Sequence, residues 1–255
     1  MSKGREIVSL SMSTKTEAGL EGDAAPVDPD DHIDSEVTRH ESRILDAVGP
    51  EPIAVYRRLA SEFAAGDIRA NHVFQFLFRS YYRLDNAGLT REFKARYFEL
   101  LEEHRGRAVI DLRRLAIELQ PFRTLRNRES LQFSFITKLA ATVNPSFPIY
   151  DNEVATIFGF RPPYGQGSFE ERLGRCLEFY EWLRELYGRL LGSNRLLSTR
   201  NALETRYRYP VPLPPMKALD FIFWAAGKQR IRVVDRTIAY RGSSRPTARR
   251  RSQSR

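Results

Sequence analysis

Lys138 and Asp151 have the residue types and setting that do chemistry. Both fall in Gln132–Gly159, QFSFITKLAATVNPSFPIYDNEVATIFG. Lys138 lies early in a predicted helix, and the run Asn144-Pro145-Ser146-Phe147-Pro148 breaks that helix. Asp151 then stands where an N-cap belongs, before Asn152–Phe158 and the stop at Gly159. A lysine desolvated by burial loses proton affinity and becomes a nucleophilic amine. A carboxylate at a fixed helix start stabilises developing positive charge or orients water. Phe133, Phe135, Phe147 and Tyr150 surround the pair in sequence and are candidates to line a pocket. The same residues also have ordinary structural roles open to them. An aspartate N-cap contributes about 1 kcal/mol by itself, lysines usually stay wet, and aromatic side chains dominate ordinary cores.

The elements that must position these residues are helices. Apolar spacing predicts Ser35–Val48, then a helix opened by Pro52 and ended by Gly66, then Ile68–Leu84. Thr90 reads as the N-cap of Arg91–His104, and residues 107–119 form another helix before Pro121. Ser130–Val143 reads as helical or helix-turn-helix. Ser168 with Glu171 makes a capping box for a long helix to Leu191, whose apolar face runs from Phe169 to Leu190. A helix around Arg195–Arg206 follows. A proline-rich link leads to Met216–Gly227, and residues 230–240 alternate weakly enough for a short strand. The lack of strand–helix alternation argues against a parallel α/β sheet, and the expected class is all-α.

Charge divides the 255 residues into three parts. Residues 1–48 carry 5 basic and 11 acidic groups, and residues 229–255 carry 9 arginines and one aspartate, within a net charge of +9. The expected organisation is a disordered acidic arm over 1–35, one helical domain over 36–230, and a basic Arg/Ser-rich tail over 231–255. A basic body with a basic tail favours polyanions. A second basic cluster, Arg105, Arg107, Arg113 and Arg114, leads to Arg123, Arg126 and Arg128 in a polar loop suited to phosphates. Acidic neighbours Asp111, Glu118 and Glu129 offer the alternative of an ordinary solvated face. The single Cys176 allows no intrachain disulfide, and four histidines without ligand spacing argue against a metal centre. No apolar run reaches the roughly 20 residues of a membrane span. The expectation is a cytoplasmic protein, associated with the nucleoid if bacterial, without cofactor or metal.

The order lysine, Pro-bounded loop, helix-capping aspartate resembles the core of the helix-hairpin-helix DNA glycosylase superfamily. Tyr150-Asp151-Asn152-Glu153-Val154 is similar to that family's V-D-x-x-V helix start, and Thr137-Lys138-Leu139-Ala140 to its K-x-A turn. Asn86–Thr90 and Leu219–Trp224 look like stretches of uncharacterised bacterial all-helical proteins of the same kind. The resemblance follows element order over 105–230 and specific residues over 131–159. Where the family carries a Gly-x-Gly hairpin that grips phosphate, this chain has Phe133-Ser134-Phe135-Ile136. The resemblance implies a compact multi-helix glycosylase-like domain that binds DNA and flips a damaged or modified base out of the duplex. It implies Asp151 and Lys138 as catalytic residues. Arg123, Arg126, Arg128, Ser134 and Thr137 would contact DNA, and Phe133, Phe135, Phe147 and Tyr150 would form the base pocket. Two further readings fit the charge and the helices: a nucleic-acid-binding module without catalysis, and a helical protein-interaction domain.

Overall fold

The computed structural model describes residues 28–163, 165, 167–208, 210–235 and 238–242. Most of the acidic arm and the end of the basic tail lie outside the described residues. Among the described residues there are eleven α-helices and no strand, so the chain is all-α. The only sheet-like pairing among them is an isolated bridge between Leu89 and Thr124. None of these helices is long and apolar enough to cross a membrane.

The domain starts earlier than the sequence suggested. Helix α1, Pro29–Arg39, opens with proline in its first turn and Asp28 as N-cap, accepting the Asp30 N–H at 3.0 Å. α2, Glu41–Val48, follows after a break at His40. Pro29-Asp30-Asp31 resembles a polar linker in sequence, yet Ile33 and Val37 are fully buried. Asp30 pairs with Arg189 at 3.0 Å, and Asp34 accepts the Leu196 N–H at 2.6 Å. Residues 29–35 therefore belong to the folded unit. Ile33→Ala should cost about 2–4 kcal/mol, the usual range for emptying a closed apolar site. Urea denaturation measures this, and a shift below about 0.5 kcal/mol, the size of an ordinary surface change, would detach α1 from the cooperative core.

The far boundary also moves. Ile231, Val233 and Val234 are buried and form no strand. The Tyr240 N–H donates to the Phe158 carbonyl at 2.9 Å, and its ring meets Phe160, Phe179 and Trp182. Packing thus continues to about residue 240, ten residues past the expected edge, because the few apolar residues after Arg230 find an aromatic groove.

Between these ends the elements are α3, Pro50–Ala65, α4, His72–Tyr81, and a 3-10 turn, Leu84–Ala87. Then come α5, Arg91–Glu103, α6, Leu112–Leu119, α7, Phe133–Val143, and α8, Asn152–Ile157. α9, Phe169–Gly192, α10, Leu197–Tyr207, and α11, Pro215–Lys228, complete the chain. α9 has the capping box that Ser168 and Glu171 announced. Of the face read from periodicity, Phe169, Leu173, Cys176, Tyr180, Leu183, Leu186, Tyr187 and Leu190 are buried and Leu177 is half-buried at its edge.

The hairpin expectation is corrected in one respect. Phe133-Ser134-Phe135-Ile136 is not a turn but the first turn of α7. The link between α6 and α7 is the longer loop 120–132, where Asn127 takes the left-handed conformation with φ 54°. Asparagine tolerates that region better than most residues, so the loop bends without a glycine.

Candidate functional site

α7, residues 149–151, α8 and α11 line a half-open cavity of about 1020 Å³, with α3 and the end of α4 on the opposite side. Three buried side chains hold the loop that brings in Asp151. Thr137 Oγ1, on α7, accepts the Tyr150 N–H at 3.2 Å. The Tyr180 hydroxyl, on α9, donates to the Pro148 carbonyl at 3.0 Å. Asp220 Oδ1, on α11, accepts the Ile149 N–H at 2.9 Å. A Pro-bounded loop has few backbone partners of its own, so these side chains replace the hydrogen bonds that a helix would supply. Asp151 then caps α8 as expected, Oδ1 accepting the Val154 N–H at 3.0 Å.

Gly227 fixes how closely α8 and α11 approach. A Cβ there would lie 2.7 Å from the Glu153 carbonyl oxygen and 2.8 Å from the Glu153 Cβ. Only glycine lets the two backbones meet at this point.

Lys138 points into the cavity from α7. Its Nζ donates to Ser134 Oγ at 2.8 Å and lies 5.2 Å and 5.6 Å from the ring centroids of Phe135 and Tyr82. Burial lowers its pKa to about 8, against the opposing charge of Asp151, which raises it, with Lys217 and Arg83 lowering it further. The two catalytic candidates therefore share one cavity and act on each other electrostatically. They form no direct ion pair, and among the described residues Asp151 has no ion-pair partner at all.

A second pair lines the same cavity and was not picked out from sequence. Lys217 and Asp220, one turn apart on α11, are both buried and approach to 3.6 Å. Lys217 Nζ is 4.9 Å from the ring centroids of both Tyr56 and Phe221. Burial lowers the Lys217 pKa, and burial raises that of Asp220 to about 7. One signal was available: Lys217 and Asp220 are the only charges between Pro215 and Gly227 in PMKALDFIFWAAGK. Charged residues inside so apolar a helix are costly unless they are used.

The remaining expectations divide. Phe133, Phe135 and Tyr150 line the cavity; Phe147 does not, being buried in the core outside it. Thr137 is fully buried and spends its hydroxyl on Tyr150 and Ser134, so it is unavailable to DNA. Ser134 faces Lys138 within the cavity and not a phosphate-gripping turn. Arg123, Arg126 and Arg128 are exposed and carry no ion pair among the described residues. They lead directly into Glu129, Ser130, Leu131 and Gln132, which line the cavity. The earlier arginines are mostly committed. Arg105 pairs with Glu102 and binds the Phe63 and Gly66 carbonyls, Arg113 pairs with Glu170, and Arg114 with Glu118. Cys176 also lines the cavity, but burial pushes its thiol up to about 12, which leaves it inert as a nucleophile. No group of three or more metal-ligating side chains exists among the described residues.

Comparison with known proteins gives no relative: no family model, no curated protein and no solved structure matches the chain.

Proposed function

We propose that this protein is a DNA glycosylase-type enzyme that takes a flipped, damaged or modified base into the cavity between Lys138 and Asp151. The observation that carries this reading is a lysine with a pKa of about 8, aromatic rings beside it and a carboxylate in the same enclosure. Cleavage of an N-glycosidic bond leaves positive charge on the sugar, and the bonding electrons depart with the base. The Asp151 carboxylate stabilises that charge. The neutral Lys138 amine then bonds to C1′ and loses a proton, and opening of the sugar ring gives an imine. Without the amine step, water takes its place and the product is an abasic site.

The Arg123–Arg128 loop supplies the backbone contact. In a helix-hairpin-helix arrangement α6, this loop and α7 would be the DNA-gripping unit. Here the grip rests on guanidinium groups next to the cavity instead of glycine amides. On this reading the partner is DNA, and the protein works in the cytoplasm, at the nucleoid in a bacterium.

The deciding experiment is a glycosylase assay of the full chain on duplex and single-stranded oligonucleotides carrying a broad panel of damaged and modified bases. Release of a base, or strand cleavage after alkali, is the expected result. DNA binding with no excision across the panel would replace the enzyme by a non-catalytic nucleic-acid-binding module. Absence of binding would leave the helical interaction domain.

A further inference from the structure

The carboxylate of Asp220 is only half used. Oδ1 accepts the Ile149 N–H at 2.9 Å. Oδ2 is buried and makes no close hydrogen bond; the Lys217 ammonium faces it at 3.6 Å, an ion-pair distance. Asp220 as a residue is 5% exposed, and both it and Lys217 belong to the cavity wall. Buried polar atoms are nearly always satisfied, so an under-used acceptor on a cavity wall is open to a bond from whatever the cavity holds.

We infer that Lys217 and Asp220 form a subsite that reads the polar edge of a planar heterocycle, Asp220 Oδ2 accepting a ring or exocyclic N–H and Lys217 Nζ donating to the neighbouring ring acceptor. The inference rests on the cavity taking a nucleobase. The two charged groups are 3.6 Å apart, close enough to serve adjacent atoms of one ring. An ionised carboxylate offers only acceptors and an ammonium only donors, so in its charged form, above about pH 7, the pair demands one donor beside one acceptor. Lactam edges and amidine edges both meet that demand, and an edge without an N–H meets only half of it. The flat faces of Tyr56 and Phe221 hold the Lys217 head against the wall, which fixes the spacing of the two groups. A site built to hydrogen-bond a ligand N–H rejects an analogue lacking it, because the buried acceptor is then left unpaired.

The test is binding of free nucleosides to the full chain, followed by the fluorescence of Trp224, which lines the cavity, or by saturation-transfer NMR. Deoxyinosine against 1-methyldeoxyinosine probes the lactam edge. Deoxyadenosine against purine deoxyriboside probes the amidine edge and removes the donor without adding bulk. At least one pair should differ by about tenfold or more in favour of the donor-bearing member, and the pair that does identifies the edge. Asp220→Asn keeps an oxygen for the Ile149 N–H and turns an amide NH₂ toward the ligand. It should erase that preference; the melting temperature falls because Lys217 loses its counter-charge, so binding is compared at a temperature where the variant is shown to be folded. Equal affinities within both pairs, or no binding of any of the four, overturn the subsite without recourse to a variant. Excision activity with no edge preference would leave the glycosylase reading standing and the subsite rejected. Edge-selective binding with no excision would do the reverse.

Discussion

If the glycosylase proposal holds, Lys138→Ala should eliminate the protein–DNA adduct that borohydride traps during base excision. Borohydride reduces an imine between an amine and C1′, so the adduct reports the nucleophile directly. With the Lys138 pKa at about 8, about one tenth of the amine is neutral at pH 7, against about one part in 2500 for an ordinary lysine near 10.4. Trapping in the unaltered protein should therefore climb about tenfold per pH unit up to about 8 and level off above it. The sign follows from the protonated form being the unreactive one. An adduct that survives Lys138→Ala would move the nucleophile to Lys217, the other desolvated amine of the cavity. Loss of trapping with excision intact would make the enzyme monofunctional, with water in the role of the amine.

Asp151→Asn should lower excision by about 10²–10³, the usual effect of removing one preorganised electrostatic partner. Stability should change little, since asparagine caps a helix about as well as aspartate and the Val154 N–H keeps an oxygen to donate to. DNA affinity should hold or rise slightly with the loss of a negative charge. A second effect distinguishes the electrostatic role from a steric one. Asp151 raises the Lys138 pKa, so the variant's trapping profile should shift toward lower pH. Single-turnover excision, thermal melting and the trapping profile measure the three effects. A variant that excises at full rate would remove Asp151 from the chemistry, and one that unfolds would give Asp151 a structural role beyond the helix cap.

Local signals made much of this architecture legible. Thr90, Asp151 and Ser168 announced three helix starts, because an N-cap is a property of a few adjacent residues. The apolar stripe of α9 was equally plain. Misplaced features depended on partners distant in sequence. Residues 29–35 look like linker until Arg189 and Leu196 are beside them. Tyr240 needs Phe160, Phe179 and Trp182 before it counts as core. At the site, the types and order of Lys138 and Asp151 were visible, but the aromatic wall at Tyr82 and the basic neighbour Arg83 come from the end of α4. Thr137 was misjudged because a threonine on a helix can face solvent or seal a loop, and only the fold decides. Lys217 and Asp220 left a trace in the sequence, two charges in an apolar helix, with nothing beside them to say what they face.

Because main chain meets main chain at Gly227, the separation between Asp151 and Asp220 is inherited from the backbones of α8 and α11 and not from the side chains around them. The aromatic walls at Tyr82, Phe133 and Phe135 come from other elements, so substitutions there would change which ligand is admitted without acting on the α8–α11 contact. Any side chain at position 227 would force the two carboxylates apart at once.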